Sequence, residues 1–317
     1  MKFIFVPFVN GLIACAVFAA QAIMPASEAS AAEQRQADPV RREGVNLKLE
    51  FLQRTGSISS AIYDDSMGVI TFRALINGQV VWAVIDTGAE ATFVDVKFSK
   101  EIGLDVEALS GSIRGLAGEM TRSKITGIEL EIPGQFVVRE AVFNGTDLSG
   151  LSRALNKKTA IIIGRDILNV ISFYVDASAK RVVFLPSKSM KFQDTQIVRL
   201  PMIDGLLTGT INGVAASMAI DLGASGVLNI RRGVWDRYIP SGTTIDEVTS
   251  TDLGGETYTS VFTQGVTLGI GSISSLPAAK QVPDLDANFD AYIGYGFFQG
   301  RRTLFDYAAE EILILKD

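Results

Sequence analysis

Residues 84–89 read Val84-Ile85-Asp86-Thr87-Gly88-Ala89. An apolar run carries an acidic residue to its end and turns at once on Thr-Gly. A carboxylate in that place is close to buried, and burying it is costly unless a partner offsets the cost. Upstream, residues 69–76 (V-I-T-F-R-A-L-I) meet Asn77-Gly78, and residues 80–85 (V-V-W-A-V-I) follow. Asn-Gly between two strand-like runs predicts a tight hairpin, because both turn positions need positive φ. Asp86 therefore sits at the end of the second hairpin strand.

The same unit returns 135 residues later. Residues 206–211 (L-L-T-G-T-I) meet Asn212-Gly213, and residues 214–220 lead to Asp221. Without a gap, Ile76 maps onto Ile211, Asn77 onto Asn212, Gly88 onto Gly223 and Ala89 onto Ala224. A second block repeats at an offset of 130. Residues 160–168 (A-I-I-I-G-R-D-I-L) match 291–298 (A-Y-I-G-Y-G-F-F), placing Gly164 on Gly294 and Asp176 on Asp306. Such a repeat predicts a duplicated β unit.

The expected fold is all-β. It has two homologous lobes, 62–187 and 197–317, joined through 187–195 and separated by a cleft. One short helix per lobe is expected after each Asp loop, at 94–103 and 231–238. Residues 1–31 read as an export signal: Met1-Lys2, an apolar stretch, and small residues around Ala31. Pro7, Asn10 and Gly11 interrupt the run, against a retained membrane anchor, and it continues past Cys15, against a lipid anchor there. Residues 32–61 are polar and read as a linker or N-terminal arm. A periplasmic or secreted, monomeric protein is expected.

Composition excludes several chemistries. The chain of 317 residues is 47% hydrophobic, with a formal net charge of −6, so no basic footprint for nucleic acid exists. Cys15 is the sole cysteine and falls in the expected signal, leaving no thiol nucleophile or disulfide. There is no histidine, which removes Ser-His-Asp catalysis, His-ligated zinc and a His base. Proton chemistry falls to carboxylates, Lys or Tyr. The acidic stretch at Asp284 has Phe289 where a calcium loop needs glycine. No metal and no cofactor are expected.

Duplicating a lobe duplicates its Asp, and two-fold packing can bring Asp86 and Asp221 face to face. Two such carboxylates hold one proton between them: one takes a proton from water, the other gives one to a carbonyl. Gly88 lets N–H groups approach the carboxylate. The hydroxyl of Thr87 can bond across the axis.

Asp86-Thr87-Gly88-Ala89 after an apolar strand, with Ile162-Ile163-Gly164-Arg165-Asp166 downstream, resembles the retropepsin-like aspartic proteases. The duplicated single chain resembles their two-lobed bacterial form over 62–317. The resemblance implies an aspartic endopeptidase with Asp86 and Asp221 as its pair. Thr87, Gly88, Ala89, Gly223, Gly164 and Gly294 would support the loops. A peptide or protein substrate would lie in the cleft. It further implies a Glu90–Arg165 ion pair, absent from the second lobe, where Ser225 and Tyr295 stand. Hairpin flaps are expected at 115–120 and 253–258, with Gly118, Gly255 and Tyr258 as the flap and substrate candidates. Trp82 and Phe93 are expected in the core.

The second motif departs from the pattern: Asp221-Leu222-Gly223 has no hydroxyl at its middle position. Half the cross-axis bonding is then missing, and Thr87 would need another partner or water. Two alternatives follow. One is a peptide- or protein-binding module on the same fold that cuts nothing. The other is an enzyme by assembly, in which Asp86 meets its own copy from a second chain.

Overall fold

Thr71–Ile76 and Gln79–Ile85 pair as an antiparallel hairpin, as do Leu206–Ile211 and Val214–Asp221. Asn77 and Asn212 hold φ of 47° and 50°, and Gly78 and Gly213 follow at 76° and 77°. Each Asn also ties its turn to a later strand. The Asn77 side chain accepts from Glu129 N–H at 2.8 Å, and Asn212 accepts from Thr267 N–H at 2.8 Å. One turn chemistry thus produces one local structure twice.

The computed structural model describes residues 47–52, 59–115, 118–252, 257–284 and 288–316. The expected signal segment, most of the polar arm, and residues 116–117 and 253–256 of the two expected flaps, Gly255 among them, lie outside the described residues. The fold is all-β, with barrel-like sheets. The first hairpin continues through Thr159–Ile163, Phe93–Asp95, Phe136–Thr146 and Glu119–Ile132. It closes on itself where Ile76 pairs with Leu130 and Leu75 with Glu131. The closed ring buries Phe72, Ile85, Val94, Ile161 and Val138 inside.

The same sheet extends the other way through Ala61–Asp64, Arg181–Pro186 and Ile171–Asp176 to Thr303–Asp306, Glu311–Leu315 and Ile197–Pro201. Strands from beyond residue 197 therefore share a sheet with the first half of the chain. Phe173 stacks on Phe305 at 4.8 Å across that seam. The second hairpin lies in a nine-stranded sheet with Leu228–Arg231, Ala279–Val282 and Ala291–Gly294 near its middle.

Helix Val96–Glu101 starts where Asp95 Oδ1 accepts Phe98 N–H at 2.7 Å, a side-chain cap. The counterpart of Asp95 is Ile230, which cannot cap, and Arg232–Val234 forms a 3₁₀ turn before the short helix Trp235–Tyr238. One helix per half undercounts, however. Ser149–Leu155, Arg165–Leu168 and Tyr295–Phe298 are also helical. The last two begin directly at Gly164 and Gly294, where a strand ends and the chain turns over an Asp loop. No helix among the described residues is long and apolar enough to cross a membrane.

Candidate active site

Asp86 ends a strand that runs parallel to Thr159–Ile163, with Ile85 opposite Ile163. Asp221 ends a strand parallel to Ala291–Gly294, itself opposite Gly294. Both side chains are at 0% exposure. Gly88 N–H donates to Asp86 Oδ1 at 2.8 Å, and Gly223 N–H donates to Asp221 Oδ1 at 2.9 Å. Ala89 N–H adds a 3.1 Å bond to Asp86 Oδ1.

The two loops meet. A β-carbon on Gly88 would fall 2.8 Å from Asp221 Cγ and 2.8 Å from its Oδ1. Gly88 thus serves both carboxyl groups, one through its amide and the other through its bare α-carbon. Burial raises the pKa of Asp86 well above the carboxylate range, and the charge of nearby Asp221 raises it further. Asp86 Oδ2 is buried without a well-formed hydrogen bond.

Thr87 crosses between the loops. Its hydroxyl donates to Ile220 C=O at 2.9 Å and accepts from Leu222 N–H at 3.0 Å. Leu222 brings no hydroxyl, and Thr87 finds its partners in the backbone of the opposite loop. Both partners of Thr87 are backbone groups, so neither bond uses the side chain at 222. The Leu222 side chain is fully buried in the main hydrophobic core.

Gly164 and Gly294 hold the loops from below at matched positions. A β-carbon on Gly164 would stand 2.3 Å from Ala91 C=O, and one on Gly294 would stand 2.2 Å from Gly226 C=O. Arg165 N–H bonds to Ala89 C=O at 2.9 Å, and Tyr295 N–H to Ala224 C=O at 2.8 Å. Arg165 Nη2 lies 3.5 Å from Glu90 Oε1, with both side chains partly exposed.

The hairpin ahead of Gly115 and after Gly118 packs Ile113 and Met120 on a cluster that includes Val84 and Ala89. Gly115 N–H bonds to Gly118 C=O at 2.7 Å. In the other hairpin, Tyr258 packs on Ala224, Phe289 and Tyr292, with Lys280 Nζ 5.4 Å over its ring. A β-carbon on Gly115 would lie 2.9 Å from Asp252 Oδ2, so the two hairpins approach each other. Phe93 is core, but Trp82 is only half-buried beneath the Arg73 guanidinium at 4.0 Å.

Three features escaped the sequence reading. Thr92 Oγ1 donates to Asp166 Oδ1 at 2.6 Å and accepts from Gly164 N–H at 3.2 Å, while burial raises the Asp166 pKa. Tyr307 places a buried hydroxyl near Thr87, Arg165 and the two carboxyl groups, its pKa raised by burial. Tyr295 O–H donates to Asp65 Oδ2 at 2.8 Å. Each joins residues far apart in sequence; a polar aromatic after Asp306, where the first copy has Ala177, was the one available hint for Tyr307.

Among the described residues no cluster of acidic side chains is placed to hold a metal ion. Residues 72–167 match the model of a family described as aspartyl protease. The match covers the first hairpin, the Asp86 loop and Gly164-Arg165. Asp221 and Gly294 lie beyond it. No curated protein matches the chain.

Proposed function

We propose that the chain is an aspartic peptidase in which Asp86 and Asp221 of one molecule activate water. The observation that carries this reading is the convergence of both buried carboxyl groups on Gly88. Carboxyl groups that close share one proton, and the apparent pKa values belong to the pair. The ionised member takes a proton from a water molecule as its oxygen attacks the peptide carbonyl carbon. The protonated member gives its proton to the carbonyl oxygen. A gem-diol results, with no covalent link to the protein. On collapse the C–N bond breaks, and a proton passes to the leaving amine.

The chain's own residues supply the rest. Gly88, Ala89 and Gly223 N–H groups hold the carboxylates in place, and Thr87 fixes one loop against the other. The hairpins that carry Gly118 and Tyr258 would move to admit the peptide, since neither Asp side chain is exposed. The two halves would be duplicated lobes of one exported, monomeric enzyme, acting on peptides or unfolded proteins. The test is cleavage of unfolded protein across pH 3–8 by the wild type, Asp86→Asn and Asp221→Asn. Loss in both variants supports the reading. Loss in Asp86→Asn alone, with activity rising steeply with protein concentration, would point to pairing of Asp86 between two chains.

A further inference from the structure

The sequence repeat pairs positions across the molecule, and one such pair of places is not alike. On one side, Glu90 and Arg165 face the turn at Ile203, Asp204 and Gly205, and a cavity of about 400 Å³ lies between them. Thr87 and Gly88 form its wall toward the carboxyl groups. Leu206, Phe289, Tyr292 and Tyr307 form much of the remainder. The volume falls within the range of small-ligand pockets, about 300–1,000 Å³.

The counterparts of Glu90, Arg165 and Ile203 are Ser225, Tyr295 and Gly68. There the chain fills its own space. A β-carbon on Gly68 would fall 2.5 Å from Ser225 Cβ, so the turn lies directly on the loop. Tyr295 O–H donates to Asp65 Oδ2 at 2.8 Å, and Lys180 Nζ holds both Asp65 oxygens at 2.9 and 2.8 Å. Tyr63, Asp65 and Tyr295 are all buried. A glycine that permits contact and a buried Tyr295–Asp65 hydrogen bond, with the half-exposed Lys180 capping the carboxylate, fasten this side shut.

We propose that this molecule reads its peptide on one side of the scissile bond only. A large apolar or aromatic side chain enters the cavity beside Gly88, and Glu90, Asp204 and Arg165 meet polar backbone or neighbouring side chains. On the opposite side the Gly68–Ser225 contact leaves no pocket to select a side chain. This inference rests on the peptidase reading for its chemistry, and its test separates the two.

The full-length chain is exported, matured and incubated with a peptide library of mixed sequence, and the cleavage sites are sequenced. One position, on one side of the cut bond, is expected to favour large apolar residues by about tenfold or more. The opposite side is expected to show less than about twofold preference. Thr208, exposed at the cavity wall, is changed to Phe to narrow it without touching the core. The variant is expected to shift preference toward smaller residues at that one position. In parallel, Asp86→Asn protein is labelled with library peptides carrying a photoreactive benzophenone side chain. Label is expected on the segments containing Ile203–Leu206 and Phe289–Tyr292, and none near Asp65–Gly68 or Tyr295.

Cleavage with equal selectivity on both sides, or label on both sides, overturns the inference and leaves the peptidase reading standing. Label in the cavity alone without wild-type cleavage overturns the peptidase reading and leaves the one-sided pocket. Neither cleavage nor label overturns both.

Discussion

The Thr87 hydroxyl bonds Leu222 N–H at 3.0 Å and Ile220 C=O at 2.9 Å, so a side chain from one Asp loop completes the backbone of the other. Thr87→Val keeps the shape and removes both bonds. Each buried backbone group left without a partner costs about 1–3 kcal/mol. Thr87→Val is expected to unfold at lower denaturant concentration and to lose activity, and Thr87→Ser to recover most of both. Chemical denaturation beside peptide cleavage checks this. Equal stability of Val and wild type would show that the crossing bonds carry no weight.

Gly164 and Gly294 are expected to tolerate no β-carbon. Each alanine would place its methyl far inside van der Waals contact of a backbone carbonyl oxygen, at 2.3 and 2.2 Å. Overpacking of a well-packed site costs about 1–3 kcal/mol, and here the obstacle is backbone. Gly164→Ala and Gly294→Ala should each lower the melting temperature, with Gly78→Ala, which meets nothing within 4 Å but sits at φ of +76°, as a conformational comparison.

Much of this was legible in the chain because it is local. Asn77-Gly78 and Asn212-Gly213 demand positive φ and produce their hairpins. The repeat also sets Asp86 and Asp221, and Gly164 and Gly294, at corresponding positions, although the contacts those glycines make with Ala91 and Gly226 join distant parts of the chain. What escaped depends on long separations. Nothing around Asp65 announces a partner at Tyr295, and nothing around Thr303–Leu315 says that these strands extend the sheet of the first half. Ser149–Leu155 is short and carries Gly150 and Ser152, so its helix depends on burial of Leu151 and Leu155 and not on propensity. The missing hydroxyl at Leu222 was legible, but the backbone partners that Thr87 takes instead depend on how the two loops meet, 135 residues apart.

Stability should depend on pH through Asp86. Its folded pKa is raised, by burial first and by Asp221 second, above an unfolded value of about 3.9. The folded state then binds more protons than the unfolded state in the window above about pH 4. Its contribution is fully present below the unfolded pKa and is lost as pH rises through the folded pKa. Asp86→Asn removes this dependence. Melting temperatures across pH 4–8 should fall less steeply for Asp86→Asn than for wild type, and the variant should be the more stable near neutrality. Parallel curves would contradict a buried, proton-sharing Asp86.

The Glu90–Arg165 contact should be weak. At 3.5 Å, with side chains 45% and 33% exposed, it is screened by water. A double-mutant cycle of Glu90→Gln and Arg165→Met is expected to give about 1 kcal/mol or less in stability. A larger coupling would mean that the pair is shielded in solution.

The most direct measurement is hydrolysis of unfolded protein by the wild-type chain, Asp86→Asn and Asp221→Asn across pH 3–8, at several protein concentrations. The account predicts a bell-shaped, acid-side profile for the wild type, a specific rate independent of protein concentration, and loss of activity in both variants, each still folded. Wild-type activity that survives Asp221→Asn, or a folded wild type inactive at every pH, would contradict it.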